Sequence, residues 1–390
     1  MTLDKHNDFI ADLTRNPLPS PCYIVDEGLL IENLKTLRKV ADASGCKVLL
    51  AQKAFSMFSF YPLIAEYLDG TTSSGLHEAM LSHEYMGKEN HVFSAAYSDE
   101  EFVAILPICS HIVFNSFSQW DRFRDEALKS GKSLGIRINP EFSTQEGEIY
   151  NPCAKGSRLG VTLENFRFNE FGERGTGLDG IHFHTLCQQN SDALKATLHV
   201  VEEKFSACFE KISWLNMGGG HHITRKDYNT KELISLIKYF KNKYNLEVYI
   251  EPGEAIALNA GFLICTVLDI ISNNGEIAIL DTSAACHMPD VLEMPYRPQI
   301  IGSGTPNEKP HNYTLTGLTC LAGDIIEKYS FDNPLKIGDK LIFEDMAIYS
   351  MVKNNTFNGI NLPTIAKRRK SGKTEIVQRF GYNDFKGRLS

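Results

Sequence analysis

The chain has 390 residues, of which 43% are hydrophobic and 23% charged, and a formal net charge of -8. That composition describes a globular protein long enough for two domains or for one large barrel with an addition. The acidic balance leaves no basic footprint for nucleic acid and suits a small cationic ligand. Nine cysteines without a Cys-x-x-Cys pair imply reduced thiols and a cytoplasmic setting rather than a disulfide framework.

Residues 1–20 mix Asp4, Lys5, Asp8 and Asp12 with isolated apolar residues and lack the continuous apolar core of a signal peptide. From Cys22 to Gly253, short β-rich runs alternate with segments of helical periodicity, the pattern of a parallel α/β sheet or barrel. Strands are expected to begin at Val48, Thr71, His91, His111, Leu134, Gly180, Trp214 and Val248, and helices are expected over 118–130 and 192–212. Eight strands with helices between them favour an α/β fold of the (β/α)8 TIM-barrel kind over a doubly wound sheet. The longest apolar region, 255–271, is broken by Asn259 and Asp269 and is too short to span a bilayer, so no membrane role is expected. After Gly261 the runs FLICTVLDII, EIAILD, NYTLTGLTCL and KLIFED read as a separate β-rich domain. The expected division is a barrel over 22–258 and a β-rich domain built from 1–21 and 259–390. The basic run 367–373 reads as a solvated hairpin or loop.

In a barrel, chemistry gathers where strands end. Lys53 follows the apolar run VLLA, and an amine leaving a strand into a desolvated pocket loses basicity and becomes competent for Schiff-base formation. A plain surface lysine is the ordinary alternative. Gly218, Gly219 and Gly220 would let backbone N–H groups close around a phosphate, or simply form a tight turn. Glu251, followed by Pro252 and Gly253, needs a cation if it points into a barrel mouth; a protonated pyridine nitrogen would satisfy it, and so would solvent or a salt bridge. His182 and His184 share one side of their strand. They and His221-His222 lack third and fourth ligands at a helpful spacing, so no metal site is expected.

In their order, Lys53, the His184 strand, the three glycines and Glu251-Pro252-Gly253 make the chain resemble the pyridoxal-phosphate (PLP)-dependent decarboxylases of ornithine, diaminopimelate and carboxynorspermidine. The resemblance spans nearly the whole chain. It continues in Ser73-Ser74-Gly75-Leu76-His77-Glu78, Ile136-Arg137-Ile138-Asn139-Pro140, Ser157-Arg158-Leu159-Gly160, Gly317-Leu318-Thr319-Cys320, and Tyr349 followed by Thr356-Phe357-Asn358-Gly359. The stretches 69–74 and 287–298 are most similar to the branch that acts on carboxynorspermidine and carboxyspermidine.

The resemblance implies an alanine-racemase-like PLP barrel with a C-terminal β-sandwich or barrel-like domain, in a homodimer with shared active sites. It implies that Lys53 holds PLP, that His184 stacks on the ring, and that Gly218, Gly219, Gly220 and Tyr349 take the phosphate. Glu251 would keep the pyridinium protonated, and Cys320 of the partner subunit would help return a proton after carbon dioxide leaves. One departure is Glu254, where ornithine and diaminopimelate decarboxylases usually carry arginine. An acidic residue there suits a distal amine, and Asp281, Asp290, Glu293 and Asp324 are further candidates for binding a cationic carboxylated polyamine. Leu321, where ornithine decarboxylases carry an acid, disfavours ornithine.

The expected activity is thus a decarboxylation in polyamine, including spermidine, biosynthesis. Diaminopimelate decarboxylation is disfavoured by Glu254, alanine racemisation by Glu251, and a silent regulatory homologue by the retention of Lys53, Cys320 and the glycines. A single-barrel PLP-homeostasis protein would lack the β domain. The two carboxylated polyamines differ by one methylene, worth only about 1–3 kcal/mol, and are not ranked by sequence.

Overall fold

The computed structural model describes residues 18–172 and 175–390. The expectations for residues 1–17, both the missing signal peptide and their place in the β-rich domain, lie outside the described residues. Two compact units emerge, one of residues 33–256 and one of residues 18–32 with 257–390.

The chain enters through β1 (Cys22–Asp26), which runs antiparallel to β10 (Gly261–Ser272) and parallel to β15 (Thr364–Arg368). The boundary expected at residue 22 therefore moves: β1 is a strand of the sheet unit, and the divisions fall at 32/33 and 256/257. All five residues of β1 are buried. A continuous apolar run reads alike in any strand covered on both faces, so its partners rather than its pattern decide which sheet takes it.

Eight parallel strands then close into a barrel: β2 (Lys47–Ala51), β3 (Gly70–Ser73), β4 (Glu89–Phe93), β5 (His111–Phe114), β6 (Ser133–Arg137), β7 (Gly180–His182), β8 (Trp214–Asn216) and β9 (Glu247–Ile250). Each begins within two residues of its expected start. Inside the barrel, Leu49, Val113, Trp214 and Tyr249 cluster with Phe93 packed against them. Trp214 sets the fit. A Cβ on Gly135 would come within 2.3 Å of its ring and one on Gly180 within 1.8 Å, so two glycines make room for one indole. The indole Nε1 donates to Ser133 Oγ at 2.7 Å, which pairs its own buried N–H.

The helix expected over 118–130 forms as Phe117–Lys129, with Ser116 Oγ accepting the Gln119 N–H as its N-cap. Phe117, Trp120, Phe123 and Ala127 make its buried stripe. The helix expected over 192–212 runs Ser191–Phe205 and then tightens to a 3-10 turn, Ser206–Lys211. Cys208 and Phe209 remain buried, so the apolar period reports burial there and not the hydrogen-bonding register.

The second unit is an eight-stranded mixed sheet in the order β13-β12-β11-β10-β1-β15-β16, with β14 also on β10. Its remaining strands are β11 (Glu276–Leu280), β12 (His311–Thr316), β13 (Ile325–Phe331), β14 (Lys340–Glu344) and β16 (Thr374–Gln378). Tyr23, Leu263, Leu280, Leu315, Tyr329 and Phe343 are among its buried core. The run NYTLTGLTCL is strand only as far as Thr316. A Cβ at Gly317 would meet Asp324 Oδ2 at 2.2 Å, and that close approach turns the chain out of the sheet. The run 367–373 spans the end of β15 and a hairpin turn, but it is partly ion-paired, Arg368 with Asp26 at 2.8 Å and Arg369 with Glu27 at 3.2 Å and Glu375 at 3.0 Å. Among the described residues no helix is long and apolar enough to cross a membrane.

Candidate active site

The C-terminal ends of the barrel strands deliver a convergent set of polar side chains. Past β2, buried Gln52 is locked by three hydrogen bonds: Nε2 donates to Ser73 Oγ (2.8 Å) and to the Glu78 carbonyl (2.9 Å), and Oε1 accepts from the Tyr61 hydroxyl (2.8 Å). Lys53, the next residue, is thereby aimed into a pocket it shares with Phe93, Arg137, His182, His184, Gly219 and Glu251. Its surface is solvent-exposed because it faces the open pocket, while protein crowds the recess on its other sides. That crowding lowers its pKa, the Arg137 charge lowers it further, and Glu251 and Glu78 oppose. An amine so placed has a larger neutral, nucleophilic fraction at neutral pH than a surface lysine.

Glu251 follows β9 and is 8% exposed. Burial alone would raise its pKa, but the His182 ring and the Asn216 amide outweigh it and hold the carboxyl down to about 2. Asn216 Nδ2 donates to Oε1 at 2.7 Å, and His182 Nε2 lies 3.4 Å from Oε2. Burial lowers the pKa of His182. The pair is therefore an ionised carboxylate beside a neutral imidazole, and the long contact is not a formed hydrogen bond, since neither nitrogen of the His182 ring has a partner.

His184 is fixed by backbone. Its Nδ1 accepts the Gly219 N–H at 2.9 Å, so the proton of the neutral ring sits on Nε2, and burial followed by Lys53 and Arg137 puts its pKa well below the usual histidine range. Arg137 Nη2 donates to the His184 carbonyl at 3.2 Å, and the guanidinium lies 4.6 Å above the Phe93 ring.

The three glycines are required by contact as well as by angle. Gly218 and Gly220 have φ of +69° and +82°, and a Cβ on Gly219 would lie 2.4 Å from the Glu251 carbonyl. The expected phosphate cradle is narrower than the run suggests. The Gly218 N–H donates to Asn216 Oδ1 at 2.9 Å and the Gly219 N–H to His184, which leaves Gly220 as the member of the run for that role.

Glu254 opens a short helix at the same barrel end; its Oε1 accepts from Gln188 Nε2 at 2.8 Å, and His222 Nε2 stands 3.7 Å from Oε2. The other expected site residues belong to the sheet unit. Asp290 and Glu293, one helical turn apart, both hold the Lys353 ammonium. Asp281 accepts the Thr266 N–H at 2.8 Å within the sheet. Asp324, 3% exposed, accepts from the Ser283 and Thr319 hydroxyls and the Ala285 N–H. Asp324 is thus a buried acceptor already engaged by local donors, whereas Asp281 is half-buried and holds the sheet backbone through one carboxylate oxygen. Cys320 is exposed, with its N–H bonded to Asn358 Oδ1 at 2.7 Å. Tyr349 is half-buried and carries a φ of +58° just before the turn Ser350–Lys353.

Sequence reasoning gave Asn216 no role, although strand alternation from Trp214 through Asn216 to Gly218 places it on the barrel's inner side. It also passed over Glu89, His91 and His111, whose ligand atoms lie within 4.8 Å of one another at the opposite barrel end. The two rings stack at 3.8 Å and 16°, which sends their in-plane lone pairs side by side rather than to one ion, and Glu89 is engaged by Lys47.

A lysine of lowered pKa, a buried ionised carboxylate held by an amide and an imidazole, and the unpartnered nitrogens of His182 in one pocket fit a group that carries an aldehyde on a protonated aromatic ring. With the closed barrel and the sheet unit, they fit the class of barrel enzymes that work through an aldehyde cofactor. A model of the pyridoxal-dependent decarboxylase with a C-terminal sheet domain matches residues 22–347, and the chain belongs to that family.

The carboxynorspermidine/carboxyspermidine decarboxylase of Campylobacter jejuni is 43% identical over 379 residues, covering 94% of this chain and 98% of that one. The carboxyaminopropylagmatine decarboxylase of Synechocystis is 41% identical over 389 residues, covering 98% and 100%. The crystal structure of the Campylobacter jejuni carboxynorspermidine decarboxylase complexed with norspermidine superimposes with a TM-score of 0.87 at 41% identity, covering 95% and 100%.

Proposed function

We propose that this protein decarboxylates carboxynorspermidine or carboxyspermidine with PLP as cofactor, giving norspermidine or spermidine. The observation that carries the reading is the placement of Lys53 and ionised Glu251 in one pocket of a barrel whose full-length relatives bear that activity. Lys53 would hold the cofactor, Glu251 would meet its ring nitrogen, His184 would lie against the ring, and Gly220 with Tyr349 would take the phosphate. When bound, PLP supplies an electron sink for the pair left at Cα as carbon dioxide departs.

The chain's own residues prepare that chemistry. The pKa of Lys53 is lowered by burial and by Arg137, so a larger share of its Nζ is the neutral nucleophile than in a surface lysine. Glu251 stays ionised throughout the neutral range and so favours a proton on whatever nitrogen faces it. Neutral His184, pinned through Nδ1, presents a flat, uncharged face that excludes water from one side of the pocket. Arg137 is held by His184 and Phe93 and supplies positive charge beside Lys53.

In this reading the active protein is a homodimer, and Cys320 of the partner subunit returns the proton to Cα. The exposure of Cys320 in its own chain supports that assignment. Glu254 is the barrel's candidate for a distal amine, while Asp290 and Glu293 would meet one by displacing Lys353. Two assays test the proposal. Carbon dioxide release is measured from carboxynorspermidine, carboxyspermidine, carboxyaminopropylagmatine, diaminopimelate and ornithine; release from the first two supports it, release from carboxyaminopropylagmatine alone transfers it to that substrate, and release from diaminopimelate overturns the reading of Glu254. Mixing inactive Lys53→Ala and Cys320→Ala chains should restore activity through heterodimers, and no recovery would refute the shared site.

A further inference from the structure

Glu251 is met by side chains from the two strands before its own. Asn216, fully buried on β8, donates from Nδ2 to Glu251 Oε1 at 2.7 Å and accepts the Gly218 N–H on Oδ1 at 2.9 Å. Those two bonds also fix the amide's orientation, since a flipped amide would set its oxygen against the carboxylate and its NH2 against an N–H. His182 is directly opposite Asn216 in the β7–β8 pairing, is 2% exposed, and brings Nε2 to 3.4 Å from Oε2.

We infer that Asn216, backed by His182, is a positioning residue that locks the Glu251 carboxylate in one orientation and couples it to the glycine turn. One amide joins the carboxylate that would face the cofactor's ring nitrogen to the turn that would face its phosphate, so the two ends of the cofactor site move as one piece. This rests on the reading of Glu251 given above.

The charged and titratable groups around Glu251 come from several elements: Lys53 after β2, His91 on β4, Arg137 on β6, His182 on β7 and His221 after the glycines. Burial is the largest influence on Glu251 and favours the protonated acid. Removal of the Asn216 donor frees one carboxylate oxygen and leaves burial less opposed, so the carboxyl is less firmly oriented and its pKa rises.

The test compares wild-type holoenzyme with Asn216→Ala, His182→Phe and Glu251→Gln, and with Asn216→Ala and His182→Phe each combined with Glu251→Gln, measuring kcat and, by equilibrium dialysis, PLP dissociation. Asn216→Ala is expected to lower kcat and PLP affinity about tenfold in the wild-type background and less than about threefold in the Glu251→Gln background, because its effect passes through that carboxylate. His182→Phe should show the same dependence on the Glu251 background. A purely structural role lowers both quantities by the same factor in either background. His182→Phe leaves the glycine turn's hydrogen bonds intact and carries the test should Asn216→Ala fail to fold. Equal factors in both backgrounds beside a crippled Glu251→Gln overturn the positioning role and spare the Glu251 reading. Glu251→Gln with wild-type rate and affinity overturns the Glu251 reading itself.

Discussion

The two ends of the barrel are both lined with ionisable side chains, yet they are wired in opposite ways. At the N-terminal end Lys47 pairs with Glu89 and Glu247, Glu89 also meets His91 at 3.1 Å, and Tyr249 donates to Glu247 at 2.6 Å. Charges there are close to opposite charges and largely satisfied. At the C-terminal end Lys53 and Arg137 lie in the same pocket and Arg137 lowers the basicity of Lys53, His182 has no hydrogen-bond partner, and Glu251 is ionised with a neutral imidazole beside it. Saturated ion pairs stabilise a fold; unsatisfied ones leave binding capacity for a ligand. The contrast makes the C-terminal end the candidate seat of function on physical grounds, independently of any relative.

The contrast can be broken most severely at Lys53. Lys53→Ala should abolish both carbon dioxide release and the visible absorption of lysine-bound PLP while the thermal melting temperature of the apoprotein stays near wild type. Glu251→Gln comes next, with kcat expected to fall about 10^2-fold, the size typical for one preorganised charge acting on a developing one. Gly180→Ala acts between the two ends. Its Cβ collides with Trp214, so overpacking should cost roughly 1–3 kcal/mol in urea unfolding while the remaining folded protein keeps its kcat per site.

The smallest effect is expected at the saturated end, where Lys47→Met or Glu89→Gln should change kcat by less than about twofold and stability by about 1 kcal/mol. Glu89 also carries a pH signature. Burial raises its pKa, but His91 and Lys47 outweigh that and depress it from 4.5 to about 2. Its folded-state pKa lies below the unfolded value, so its contribution is complete above pH about 4.5 and is lost as pH falls toward about 2. Unfolding midpoints of wild type should fall through that window more steeply than those of Glu89→Gln; equal slopes would remove Glu89 from the account.

All eight barrel strands were legible in the sequence because each is a short apolar run that stops at a turn, and periodicity reports burial well. β1 was not placed correctly, since a strand covered on both faces looks the same in either unit and its partners, Ile264 and Thr364, lie far along the chain. Lys53, His184 and Glu251 could be read because strand ends are where a barrel holds its chemistry, and they do share a pocket. The glycine run was read as a row of N–H donors, but two of those donors serve Asn216 and His184, a fact that depends on side chains 2 and 35 residues away in sequence. Acidic character alone could not separate Glu254, at the barrel rim, from Asp324, which is sealed among hydroxyl donors. Burial and local hydrogen bonding distinguish the two, and neither is written in the residue type.

The most direct single measurement is borohydride reduction of the purified protein followed by peptide mass spectrometry, which fixes any lysine-bound cofactor in place. A pyridoxyl-phosphate mass addition on the peptide containing Lys53, and on no other lysine, is the expected result. Absence of the addition, or its appearance on a lysine outside the C-terminal end of the barrel, would contradict the assignment of that pocket as the site of catalysis.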